Sequence, residues 1–280
     1  MPKFNSRRGR LPVIAPASTA LTLILALAGQ TQAAQQGPPN LNGSSDPTLQ
    51  LYASRVVENW APEGSAAPNP DPRNFEGVWW IGGYQYMLGP GLYAMAPLKP
   101  EYVDLLQKRI RQKNEGKPEA DAASQCFPHG MPRIMESPYP IEIVQTPEQV
   151  TFLHEVAHNL RRIYINKSAP ADWPISWLGW SNGHWEGDTL VVETTRINAR
   201  TTIDDEGTSK STSLRTTERY RKVDGGKRIE LVMTIDDPVT LEKPYSYTRY
   251  YYWRPDIRPM EYVCEENNRN APVDGVTVAR

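Results

Sequence analysis

The sequence predicts a mainly β fold, an antiparallel meander of strands closing into a barrel or sandwich, preceded by one or two helices. Three observations carry this. Short runs rich in Val, Ile, Thr, Tyr and Trp recur at intervals of roughly ten residues. Turn residues separate them, Asp224-Gly225-Gly226 most strongly and Glu186-Gly187-Asp188 next. No long helical pattern intervenes, as a parallel sheet with crossover helices would require. No internal repeat or second domain is visible.

The amino terminus reads as a signal peptide over residues 1–34. Lys3, Arg7, Arg8 and Arg10 form a basic region, Val13 to Ala28 is apolar, and Thr31-Gln32-Ala33-Ala34 offers a small-residue cleavage site. The apolar run contains Pro16 and falls short of the ~20 residues a spanning helix needs, which argues against a membrane anchor. Ser6-Arg7-Arg8 hints at twin-arginine export, although Arg10 stands where that signal prefers a large apolar residue. A periplasmic or secreted protein is expected, with no membrane span once the signal is removed. The segment holds four of the 31 basic residues and none of the 32 acidic ones, so the remaining 246 residues carry a net charge of −5. A mildly acidic surface argues against nucleic acid as a partner.

Residues 35–74 read as a leader containing one short helix. Asp46-Pro47 supplies an N-cap and a first-turn proline, and Leu49, Ala53, Val56 and Trp60 form one stripe. Residues 75–280 read as a single β-barrel-like domain. A second helix is expected from Pro100 to Gly116, with Tyr102, Leu105, Leu106 and Ile110 on one face. Strands are expected over 75–81, 141–145, 160–165, 189–195, 216–223, 228–235, 247–253 and 260–264. The two cysteines, Cys126 and Cys264, are most simply a disulfide in an oxidising compartment. Free thiols or a catalytic cysteine are the alternatives.

Residues 154–158, His-Glu-Val-Ala-His, spell a zinc-peptidase motif. On a helix, His154 and His158 share a face one turn apart, and Glu155 would serve as general base. Thr146-Pro147-Glu148-Gln149 has the form of a capping box for such a helix. The same letters alternate as a strand, on which the two histidines sit about 13 Å apart at roughly 3.3 Å per residue. The motif lacks a third ligand: Arg161 and Tyr164 stand where the longer signature has glycine and histidine. The segment that follows holds Pro170, Pro174 and four tryptophans, so it offers no carboxylate-bearing helix. The strand reading is preferred, and no metal or cofactor is expected.

Several blocks carry a family resemblance. They are Cys126-x-x-His129-Gly130-Met131-Pro132-Arg133, Pro138-Tyr139-Pro140 with Glu142, and Gln145-Thr146-Pro147. Arg161-Arg162-Ile163-Tyr164, Trp185-Glu186-Gly187-Asp188-Thr189-Leu190-Val191-Val192 and Thr234-Ile235-x-Asp237-Pro238 continue them, and Glu261-Tyr262-x-Cys264-Glu265-Glu266-Asn267-Asn268-Arg269 ends them. Over roughly residues 75–270 the chain resembles a family of exported bacterial β-rich proteins. The resemblance implies a lipocalin-like or related barrel and no particular activity. In that family position 154 is often aromatic and position 158 varies, so Glu155 fits the pattern and the histidines do not. The chain departs from it at Asn166-Lys167-Ser168-Ala169-Pro170, where relatives tend to show Asp-Gly-Arg and a later His-Pro. Another common histidine is replaced near Ser209-Lys210-Ser211.

The chemistry expected of this chain lies in polar groups set among aromatics. His129, Arg133, Tyr139 and Glu142 sit in a proline-rich segment expected at a barrel mouth, where a disulfide from Cys126 to Cys264 would bring Glu265 and Asn267 beside them. Such a set suits proton transfer, with histidine as base or acid, arginine holding an oxyanion and tyrosine donating. His184 with Trp185 and Glu186 forms a second cluster, and Trp173, Trp177, Trp180 and Trp185 are close enough in sequence to line an apolar pocket or a sugar-stacking surface, although core packing with a hairpin turn is the preferred reading. Glu218-Arg219 and Arg161-Arg162 read as surface or cross-strand ion pairs. The expected function is a metal-independent enzyme acting on a small apolar or aromatic molecule by elimination, hydration or isomerisation. His129, Arg133, Tyr139, Glu155 and His184 are its candidate catalytic groups, and Trp177, Trp180, Trp185 and Glu142 its candidate binding groups. A non-catalytic small-molecule-binding barrel is the alternative, and a zinc hydrolase using His154, Glu155 and His158 the third.

Overall fold

A computed structural model describes residues 60–81, 96–119 and 121–264, with the backbone of 272–273 and 276–277. The expected signal peptide and the leader helix lie outside the described residues, as do Glu265 and Asn267.

Nine strands form a closed barrel in chain order: β1 (Gly77–Trp80), β2 (Ile141–Thr146), β3 (Gln149–His154), β4 (Leu160–Ile165), β5 (Trp180–Glu186), β6 (Thr189–Thr195), β7 (Arg215–Val223), β8 (Arg228–Asp236) and β9 (Tyr245–Trp253). β9 pairs back onto β1 through Trp79↔Trp253 and Trp80↔Tyr252, which closes the ring. The expected barrel is therefore present, and it is not a sandwich. All pairs are antiparallel except β4 with β5, which run parallel through Ile163↔Ser181, Tyr164↔Asn182 and Ile165↔Gly183. Parallel neighbours cannot be joined by a hairpin. Residues 166–179 accordingly cross from the end of β4 back to the start of β5.

The strands form because the sequence alternates. On β8, Ile229, Leu231, Met233 and Ile235 are all buried while the residues between them are partly exposed. Each such side chain contributes roughly 1.5–3 kcal/mol relative to full exposure. The β7–β8 hairpin turns at Asp224, Gly225 and Gly226, all three in left-handed backbone, which two glycines adopt without a Cβ penalty. The expected helix is present as α1 (Pro100–Asn114), with proline in its first turn and Arg111 and Lys113 in its last. Residues 260–264, expected as a strand, belong to none.

Pairing directions place the β2–β3, β5–β6 and β7–β8 turns at one end of the barrel. The opposite end collects residues 155–159, 196–214 and 237–244, together with the long β1–β2 connection. A segment of that connection plugs this end. Met131, Ile134 and Met135 are buried there, and Tyr251 Oη of β9 donates to Met135 O at 2.6 Å. The disulfide Cys126–Cys264 is formed, with Cα atoms 5.6 Å apart. It fastens the plug to a strap, residues 254–264, that returns along the barrel. A separate two-residue pairing joins Pro272–Val273 (β10) to Val276–Thr277 (β11).

Candidate functional site

The His-Glu-Val-Ala-His string is neither an α-helix nor a continuous strand. β3 ends at His154, and residues 155–159 form a tight turn with Ala157 and His158 in left-handed backbone. His154 points into the barrel and is buried, whereas His158 is exposed. His158 Nε2 accepts from Tyr262 N at 2.8 Å, and Glu155 Oε2 accepts from Met260 N at 2.9 Å. These two side chains hold the strap. Among the described residues no group of three or more His, Cys, Asp or Glu side chains is placed to bind a metal.

Each member of the expected catalytic set is engaged by other protein groups. His129 is half-buried in the plug, with Nδ1 2.8 Å from Ser137 Oγ. Burial and then the Arg133 guanidinium bring it down to about 4, so it is a neutral imidazole. Arg133 is buried and bound by two carboxylates, Asp121 at 2.7 Å and Asp205 at 2.5 Å. That guanidinium is committed to the structure and is not offered to a substrate oxyanion. Tyr139 packs edge-on against Tyr262 with ring centres 5.4 Å apart. Glu155 serves the strap. His184 lies on the outer face of β5, 3.2 Å from Glu186, which Arg219 also binds.

Of the four tryptophans, Trp185 lies apart from the other three. Trp185 stacks on Phe75 at the hairpin end, and Glu142 lies in β2 on the face opposite the buried Ile141 and Ile143. Trp180 is buried between Tyr164, stacked at 4.3 Å, and the edge of Trp173 at 4.7 Å. Trp177 alone of the expected binding residues lines an opening, and Trp173 joins it there.

That opening follows from the parallel seam. The β4–β5 ladder begins at Ile163↔Ser181, so the first part of β4 has no partner strand on that side. A cleft of about 260 Å³ occupies the gap, lined among others by Arg161, Arg162, Tyr164, Trp173, Trp177 and Gly179. Gly179 has φ +65°, and a Cβ there would lie 2.2 Å from Thr195 O, so no larger residue fits this wall. Trp173 Nε1 is buried without a hydrogen-bond partner. Beside the cleft, Phe127 stacks on Trp177 at 5.6 Å, and the Arg200 guanidinium lies 4.9 and 4.8 Å over their ring centres. Leu160, Phe127 and Ile175 expose apolar surface around it.

Behind the cleft lies a polar cluster inside the barrel. Arg161 Nη1 and Nη2 bind Glu218 at 2.6 and 2.7 Å, and Ser181, Thr194 and Tyr220 complete its donors. Arg161 and Glu218 read in the sequence as members of surface or cross-strand ion pairs, and they are among the most buried residues described. His154 Nε2 has no partner. Burial, then Arg161 and His129, bring His154 down to about 3, so it too is neutral. Compared with protein-family models and with curated proteins, the chain matches none.

Proposed function

We propose that this is an exported β-barrel protein that binds a small apolar or aromatic molecule in the cleft between β4 and the crossover. One observation carries the reading: the barrel wall opens where Trp173, Trp177 and Tyr164 present rings, with an unpaired indole N–H beside them. Pockets for drug-sized ligands span about 300–1,000 Å³, so a cleft of 260 Å³ suits a molecule of one or two rings. The signal-like amino terminus and the disulfide support export.

The test is a titration of small planar compounds followed by tryptophan fluorescence. Trp177→Ala is expected to weaken binding roughly tenfold or more, as losing ~1.5 kcal/mol of ring contact would. Undiminished binding in that variant would remove the cleft from consideration. A second reading, proton-transfer catalysis on the same ligand, draws on His129. It is a neutral imidazole next in sequence to Pro128, which lines the cleft. A bound compound recovered unchanged favours binding alone. A product whose formation stops in His129→Ala favours catalysis.

A further inference from the structure

The β6–β7 connection packs against the carboxyl-terminal half of α1 and encloses a second depression. This groove of about 420 Å³ shares no lining residue with the cleft. Its lining includes Arg109, Lys113, Arg200, Glu206 and, buried, Lys210. Lys210 Nζ donates to Met131 O at 2.6 Å and to Thr201 Oγ1 at 2.8 Å. Among the described residues no ion pair ties it to a carboxylate. Asp237, which favours its charged form from a distance, is itself occupied by Ser211 and by the backbone N–H of Val239.

An ammonium has three N–H donors, and two acceptors meet them here. A neutral amine is fully satisfied by the same two acceptors and keeps a lone pair. Arg133 opposes a second positive charge, and burial, the larger effect, together with Arg133 brings the Lys210 ammonium down to about 7. A desolvated lysine beside another cation is the ordinary way an amine becomes a nucleophile.

We propose that Lys210 captures a small oxo acid in this groove as an imine. The amine lone pair forms a C–N bond to the carbonyl carbon while the carbonyl π pair moves to oxygen. That oxygen gains a proton and nitrogen loses one. The hydroxyl then takes up a proton and leaves as water while the nitrogen lone pair forms the C=N bond. The nitrogen gives back its remaining proton, so C=O becomes C=N with release of one water and without oxidant or reductant. Glu206, whose carboxyl burial and then Asp204 hold above the ordinary range, supplies the proton for that departure. Arg200 receives the acid group. Stacked on the faces of Phe127 and Trp177, it presents its N–H edge, whereas Arg109 is spent on Glu119, Gly207 O and Ser209. This proposal does not require a ligand in the cleft, although Arg200 rests on Trp177, which lines it.

The alternative role for Lys210 is a tie between Met131 and Thr201. Pyruvate with sodium cyanoborohydride, applied to the intact protein and followed by peptide mass spectrometry, separates the two. A reduced adduct at Lys210, formed in preference to Lys108, Lys117 and Lys167 and half-maximal near pH 7, is the expected result. Arg200→Ala should lower pyruvate trapping relative to acetone trapping by roughly tenfold. Adducts confined to the exposed lysines would overturn the proposal, as would labelling of Lys210 that rises only above about pH 10. The wild-type experiment does not depend on any variant folding.

Discussion

The Arg161 guanidinium on β4 and the Glu218 carboxylate on β7 meet across the inside of the barrel, their side chains 1% and 0% exposed. Burial alone would raise Glu218, but Arg161, Tyr220 and Thr216 hold its carboxyl below the usual range. Removing one partner strands the other charge in the core. Glu218→Leu is expected to cost roughly 3–5 kcal/mol, and the double variant Arg161→Met/Glu218→Leu considerably less than the sum of the single changes. Denaturant unfolding of the four proteins measures this. A single-variant cost below about 1 kcal/mol would contradict it.

His154 and His129 oppose folding in acid. Both are neutral in the folded protein, His154 at about 3 and His129 at about 4, against 6.5 in the unfolded chain. Below pH 6.5 the unfolded chain therefore takes up protons that the folded protein refuses. The contribution is present above that pH and is lost as pH falls toward the folded values. Each histidine should add a slope of up to about 1.4 kcal/mol per pH unit. Unfolding midpoints between pH 4 and 8 should show His154→Phe losing about half of this slope. An unchanged profile would mean that His154 is not held neutral.

Besides the disulfide, the strap is held by hydrogen bonds from Arg254 N to Val78 O, from Met260 N to Glu155 and from Tyr262 N to His158, and by the packing of Tyr262 on Tyr139. Cys126→Ser/Cys264→Ser opens a loop with a sequence separation of 138 residues. The expected loss is about 4–5 kcal/mol, accompanied by faster proteolysis within residues 254–264. Cleavage in that segment at the wild-type rate would show that the strap is held without the covalent bond.

Much of the barrel was legible because its strands alternate cleanly. β5 was not, and the reason is physical. Its inward positions are Ser181, Gly183 and Trp185, which form no apolar pattern. Ser181 is polar because it serves Arg161, and Gly183 is small because a Cβ would lie 2.7 Å from Ile163. The parallel pairing of β4 with β5 was equally hidden, since the 166–179 crossover contains no helix to announce it. The cleft depends on that pairing, so the sequence could group Trp173 and Trp177 as candidate pocket residues but not say where in the wall the opening falls. Arg161 did carry a signal: it alternates in phase with Ile163, and Glu218 lies in phase with Thr216 and Tyr220. Charged residues in that phase read as surface because burying a charge is costly unless it is paired. Its partner lies 57 residues away, out of reach of local pattern.

The ring is thinnest at three places. β4 meets β5 and β1 meets β2 through three residue pairs each, and β9 meets β1 through two. Of these, β4–β5 is the one parallel pairing and β9–β1 the one between strands distant in sequence. The barrel is therefore two ribbons, β1 to β4 and β5 to β9, brought edge to edge. Arg161 belongs to the first ribbon; Glu218, Ser181 and Thr194 belong to the second. A mating of the ribbons shifted by one residue would turn these side chains to opposite faces and leave a charge alone in the interior. The buried pair thus acts as a key between the two ribbons, adding the cost of a stranded charge to the loss of apolar burial that a misaligned closure already carries.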